Sequence, residues 1–382
     1  MPQKLNSMIK RNIEAKIVKD FKRKKIITLL GPRQVGKTTL LEQIIEKTGN
    51  KDTMTLNCDD EDDRALLQGR SSTELKNLIG NHNLIMIDEA QRVEDIGLTL
   101  KKMGDLKTTA NIIVTGSSSL DLGDKINEPA TGRLIEYNLF PFTMEELAED
   151  TSWREQHRLL TQRLIYGMYP EVVMYPEDAK RTLMTICNSY LYKDLLSYDG
   201  IRKHALLQNL VRALALQVGS EVSYNELAQL IGADKVTVEK YIDLLEKCFV
   251  VFKLPSYSRN LRNEIKKGKK IYFYDNGIRN AVLSNFALPD YRTDMGALWE
   301  NFLVSERLKR NIYKGTYARM YFWRTQTQQE IDYIEECDGQ LNTFEFKWNP
   351  KTKASLPKVF NEAYPESSFE IITPESYEGF VK

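Results

Sequence analysis

Cysteine is nearly absent: four stand among 382 residues, Cys58, Cys187, Cys248 and Cys337, far apart and without a Cys-x-x-Cys pair. That spacing fits neither a zinc ribbon nor a disulfide scaffold, and reads as reduced thiols placed mostly in the core. Histidine is scarcer still, and His82, His157 and His204 are too dispersed for a metal cluster or a catalytic dyad. No apolar run approaches the roughly 18 residues that cross a bilayer. Met1 to Arg11 mixes basic and polar residues where a signal segment would carry an apolar core. No membrane partner is therefore expected, and the cytoplasm is the default compartment. An excess of one charge is missing too, with 54 Lys and Arg against 53 Asp and Glu, a net charge of +1. Any nucleic-acid affinity must come from local patches, and a histone-like role is excluded. With 20 Gly and 12 Pro, 42% hydrophobic and 10% aromatic residues, collagenous and disordered chains are excluded as well. At roughly 150 residues per domain the length predicts about two to three domains.

What is present is concentrated first near the N-terminus. Lys25 to Leu30 is a short apolar, β-branched run that ends in Gly31-Pro32-Arg33-Gln34-Val35-Gly36-Lys37-Thr38-Thr39, after which Leu40, Leu41, Ile44 and Ile45 recur at helical spacing. This is strand, glycine loop, helix. Glycines at the GxxxxGK[ST] spacing let backbone N–H groups turn inward around phosphate oxygens at a helix N-terminus. Lys37 then reaches the β and γ phosphates, and the Thr38 hydroxyl takes a Mg²⁺ position. Leu84 to Ile87 is a second apolar strand, ending in Asp88-Glu89. Asp88 would hold Mg²⁺ through water, and Glu89 is the candidate to activate the attacking water. A third strand, Asn111 to Thr115, runs into Gly116-Ser117-Ser118-Ser119. Ser117 or Ser118 either senses the γ-phosphate or caps the following helix.

The tail carries a second constellation. Glu345 and Lys347 are two apart in an alternating strand and share one face, opposite Phe344, Phe346 and Trp348. Glu-x-Lys alone means little, since Glu14/Lys16, Glu74/Lys76 and Glu264/Lys266 match it too. Only Glu345/Lys347 has Asp332 on a preceding strand. If the two strands pair as a hairpin, Asp332 and Glu345 can share a divalent metal, with Lys347 left to orient water or stabilise phosphorane charge.

Gly31 to Thr39, Ile87-Asp88-Glu89-Ala90-Gln91, Thr115 to Ser118, Thr131-Gly132-Arg133 and Leu139-Phe140-Pro141-Phe142 resemble the bacterial and archaeal AAA+ ATPases that carry a C-terminal restriction-endonuclease-like domain. The resemblance implies an α/β protein: an AAA+ P-loop core with a parallel sheet in residues 1–143, a helical lid in 144–205, a winged helix with a basic loop in 206–270, and a nuclease-like α/β domain in 271–382. It implies ATP and Mg²⁺ as ligands. It nominates Arg133 as an arginine finger acting on its own or a neighbour's γ-phosphate, which leaves oligomerisation open; a surface salt bridge is the equally simple alternative for this residue. In the tail, Asp332, Glu345 and Lys347 are similar to the PD-(D/E)XK nuclease signature, and Glu300 matches an acidic residue often found beside it. Glu300, Asp332 and Glu345 would then hold a second divalent metal.

Arg259, Arg262, Lys266, Lys267, Lys269 and Lys270 face a single Glu264 and read as a phosphate-binding wing or a solvated loop. The preceding helix, Val236 to Leu245, carries acids that equal or exceed its lysines, which weakens major-groove reading. Two functions follow as expectations. One is an ATP-gated DNA-processing enzyme; the other is an ATP-driven switch whose nuclease-like domain is inactive and binds a protein or DNA partner.

Overall fold

The computed structural model describes residues 8–49, 52–106, 108–117, 132–191, 204–258 and 268–382. Ser118, Thr131 and the basic residues Arg259, Arg262, Lys266 and Lys267 lie outside them. The chain divides into two compact units, one made of Lys10–Phe140 with Lys247–Phe249, the other of Met1–Ile9, Pro141–Glu246 and Val250–Lys382.

The unit built on Lys10–Phe140 is organised by five strands: β1 (Ile26–Leu30), β2 (Thr53–Asn57), β3 (Leu84–Asp88), β4 (Asn111–Gly116) and β5 (Leu134–Asn138). They form one parallel sheet in the order β2-β3-β4-β1-β5. All five residues of β1 are buried, as a strand covered on both faces demands, which is why it reads as a continuous apolar run. Because β4 lies between β1 and β3, the C-terminal ends of three strands open side by side. They carry Gly31, Asp88 and Thr115, at the edge where open α/β sheets place ligands.

In the other unit, helices Met144–Asp150, Trp153–Tyr166, Pro170–Met174 and Ala179–Thr185 come first. Thr143 opens the first of them with a capping box through Glu146. Gly167-Met168-Tyr169-Pro170 is a structural turn. Gly167 has φ +69°, and a Cβ there would lie 1.9 Å from Asp275 Oδ1. The Asp275 carboxylate in turn accepts the Met168 N–H at 2.7 Å and caps the helix Asn276–Val282.

Helices His204–Leu216, Tyr224–Ile231 and Lys235–Lys247 share their stretch of chain with a small antiparallel sheet, whose first strand falls between the first and second helix and whose other two follow the third. Its strands β6 (Glu221–Val222), β7 (Val251–Pro255) and β8 (Lys269–Phe273) lie in the order β6-β8-β7. Val238, Ile242 and Leu245 face the core, and Asp234 caps the helix that carries them.

The last part is a 20-residue helix, Met295–Lys314, with strands β9 (Arg319–Arg324), β10 (Glu330–Cys337), β11 (Gln340–Phe346) and β12 (Ser368–Ile372) in a mixed sheet, order β12-β11-β10-β9. β9, β10 and β11 form an antiparallel meander, and β12 returns parallel to β11 after the helix Lys358–Ala363. Trp299, fully buried, donates its indole N–H to Ile372 O and ties the long helix to β12. Among the described residues no helix is long and apolar enough to cross a membrane.

Candidate nucleotide site and a charged cluster on the C-terminal sheet

The loop after β1 is shaped by two constraints. Gly31 packs so closely that a Cβ would meet Leu139 O at 2.2 Å, so no side chain fits. Gly36, the N-cap of helix Lys37–Thr48, has φ +92°, and Gln34 also takes a left-handed conformation at φ +61°. Lys37 is buried and its ammonium donates to the carbonyls of Gly31 and Pro32 at 2.9 and 3.1 Å, so it is held across the mouth of the loop. Val35 is fully buried and anchors the loop to the core, while its carbonyl accepts from Arg11 at 3.1 Å. Arg11 also donates to Phe140 O, so one buried guanidinium ties the glycine loop to the chain beyond β5. Nothing in the local sequence marks Arg11 for this role, because its partners are backbone atoms up to 129 positions away.

Across the strand ends runs a chain of hydrogen bonds. Thr38 donates its hydroxyl to Asp88 Oδ2 at 2.9 Å, and Thr115 donates to the other carboxylate oxygen. The Glu89 N–H reaches Asp88 Oδ1 and Thr115 Oγ1, each at 3.2 Å. Glu89 itself sits at φ +51°, in the left-handed region that residues with a side chain seldom adopt. Its carboxylate accepts from Gln91 Nε2 at 2.5 Å, and the same amide donates to Ser117 Oγ at 3.0 Å. Gln91 Oε1 is buried and has no hydrogen-bond partner among the described residues. The sequence motif includes Gln91 but assigns it no role. Its signal is its place two residues after Glu89, where a short 3₁₀ turn brings the amide back beside the carboxylate.

The expected residues thus fall in two groups. Gly31 to Thr39, Asp88, Glu89 and Ser117 converge at one sheet edge. Arg133 does not join them within the chain. Its carbonyl accepts the N–H of Ile26, the first residue of β1, whereas Gly31 follows the last, about 16 Å further along at strand rise. Its guanidinium pairs with Asp105 at 2.5 Å. The within-chain form of the finger is corrected on that geometry.

On the C-terminal sheet, β10 and β11 pair antiparallel with Tyr333 opposite Phe344, next to Asp332 and Glu345. Asp332 Oδ2 accepts the Phe346 N–H at 2.9 Å, and Lys347 Nζ pairs with Glu345 at 2.6 Å. Glu300 of the long helix does not stand free for a metal. It accepts from Lys270 at 2.9 Å and from the Tyr272 hydroxyl at 2.6 Å, both on β8. Lys270 also pairs with Glu330 at 2.6 Å and is 1% exposed. Its reading as part of a phosphate-gripping run is therefore corrected: this lysine is buried among carboxylates. Burial works against its charge, but Glu300, Asp332 and Glu330 outweigh burial and hold its pKa above the ordinary lysine value. Burial and then the charge of Glu300 push Asp332 up to about 7. Glu345 is raised by burial and by Asp332. Among the described residues no three His, Cys, Asp or Glu side chains gather as a metal site.

A parallel sheet in the order β2-β3-β4-β1-β5, with a glycine loop after β1 and Asp-Glu after β3, is a P-loop ATPase fold. Comparison with known proteins agrees: residues 23–148 match the family model described as an AAA domain. Residues 157–288 and 295–376 match two further models, each described as a domain of unknown function (DUF8612 and DUF4143). An uncharacterised protein of Mycobacterium tuberculosis is 28% identical over 358 residues, covering 92% of this chain and 75% of that protein. Another, from Methanocaldococcus jannaschii, is 22% identical over 411 residues, covering 98% and 89%. A solved Walker-type ATPase of Pyrococcus abyssi has a TM-score of 0.50 and 16% identity, covering 73% of this chain and 97% of its own, a likeness of fold.

Proposed function

We propose that the protein binds and hydrolyses ATP at the loop Gly31–Thr39, and uses the cycle to switch the engagement of a protein or DNA partner. The observation that carries this reading is the Thr38–Asp88 contact beside the Lys37 ammonium. It sets a hydroxyl and a carboxylate together at a helix N-terminus whose N–H groups favour phosphate. Those oxygens suit Mg²⁺, which prefers hard donors and retains water, and which would supply charge neutralisation on the phosphates. Lys37 would neutralise the β and γ oxygens, Glu89 would take a proton from the attacking water, and Ser117 would donate to the γ-phosphate. Arg133 would act on the nucleotide of a neighbouring copy. The test is phosphate release from ATP with Mg²⁺ by the full chain and by Glu89→Gln, which should retain ATP binding while losing turnover.

Residues 204–273 support a winged-helix reading through their order of helix, short strand, two helices and two further strands that complete a three-stranded antiparallel sheet. The last module supports an endonuclease-like reading through its order of helix, three-strand meander, helix and parallel return strand. Metal-dependent cleavage draws on Asp332, Glu345 and Lys347 lying at the junction of two paired strands. The pairing of Lys270 with Glu300 and Glu330 weighs against it and favours the non-cleaving switch.

A further inference from the structure

Lys270 and Tyr272 leave β8 on one face, two residues apart, and converge on the same oxygen of Glu300. The Lys270 ammonium also bonds Glu330, at the start of β10, and lies 5.4 Å from the centre of the Phe322 ring on β9. One buried cation therefore joins β8, the long helix and the C-terminal sheet. The remaining carboxylates are engaged as well: Glu345 by Lys347, Asp332 by the Phe346 N–H.

A hard divalent cation binds carboxylate oxygens at about 2.0–2.6 Å. Placed on the oxygen of Glu300 or Glu330 that Lys270 contacts, it would lie within about 5.5 Å of the Lys270 nitrogen, whose own bonds to these groups are 2.9 and 2.6 Å. Two like charges at that range, out of bulk water, repel strongly. Lysine has donors only, so it cannot join such a metal as a ligand while charged. The donor set thus disagrees with the second metal that an endonuclease-like centre implies.

We propose that Lys270 is the built-in cation of this cluster: its ammonium neutralises the carboxylates in place of a divalent metal, and by doing so clamps β8 onto the endonuclease-like sheet. The centre is then a charge lock and not a metal-dependent cutting site. This holds whether or not the P-loop hydrolyses ATP, since none of these residues belongs to that site.

The test is a calorimetric titration of nucleotide-free full chain with Mn²⁺, in an Asp88→Asn background that removes the proposed metal-holding carboxylate of the nucleotide site. The background protein should show no stoichiometric Mn²⁺ binding, and adding Asp332→Asn should change nothing. Lys270→Met in the same background should gain one Mn²⁺ per chain, roughly tenfold or more tighter than any residual binding, and lose it again with Glu300→Gln. Stoichiometric Mn²⁺ on the background protein that Asp332→Asn or Glu345→Gln abolishes would overturn the proposal, as would a folded Lys270→Met that gains none. Should Lys270→Met fail to fold, the comparison of the background protein with Asp332→Asn decides alone. Mn²⁺ binding that depends on Asp332 overturns the proposal, and its absence supports it.

Discussion

The Thr38 hydroxyl donates to Asp88 Oδ2 over 2.9 Å, joining the first turn of the loop helix to the end of β3. Thr115, from the strand between, holds the other Asp88 oxygen, so the carboxylate is fixed from both sides. Asp88→Asn keeps the shape but removes the charge. We expect turnover of ATP to fall about a hundredfold and the Mg²⁺ concentration for half-maximal rate to rise. An unchanged Mg²⁺ dependence in a rate assay would remove Asp88 from the metal position.

Gln91 spans Glu89 and Ser117 with one amide nitrogen. Its work is to position Glu89. Gln91→Ala should lower kcat about tenfold and leave KM for ATP within about twofold. Combined with Ser117→Ala, it should cost less than the sum of the two single losses, because both changes remove the Gln91–Ser117 bond. Additive losses in steady-state kinetics would mean that the two residues act separately.

Gly31 is a steric requirement. With Leu139 O 2.2 Å from where a Cβ would stand, Gly31→Ala must displace either the loop or the segment after β5. A loss of about 2 kcal/mol or more in unfolding free energy is expected, with weakened nucleotide binding. Denaturant curves that superimpose on wild type would show that the loop yields without cost.

How much of this is legible in the sequence depends on the range of the interaction. The glycine loop is legible because its chemistry is local: spacing within Gly31–Thr39, set between an apolar run and a helical repeat, determines which N–H groups turn inward. The parallel sheet is legible because β1, β3 and β4 are buried on both faces and read as unbroken apolar runs. Arg11 is not legible, since its partners are distant carbonyls. Arg133 misleads for the complementary reason: a motif names the residue but not the end of β1 beside which it falls. Lys270 misleads most. It ends a basic run that looks solvated, and only the pairing of β8 with β7 and β6 turns its side chain toward Glu300 and Glu330.

Asp332 gives a pH signature. Its carboxyl is raised from an ordinary value of 3.8 to about 7, chiefly by burial. The folded chain thus binds this proton more tightly than the unfolded chain. Stability from this group is fully present below about pH 4 and is lost as pH rises toward about 7. Asp332→Asn lacks that loss, so its unfolding free energy relative to wild type should climb between about pH 4 and 7 and level off above. Parallel stability profiles across that window would contradict the burial of this carboxylate.

The central claim is that Lys37, held over the loop by the Gly31 and Pro32 carbonyls, serves ATP hydrolysis. The most direct measurement is steady-state phosphate release by wild type and Lys37→Ala under saturating Mg²⁺ and ATP, with folding of both checked by circular dichroism. The account predicts turnover in wild type and none above background in the folded variant. Wild-type rates in Lys37→Ala would contradict it.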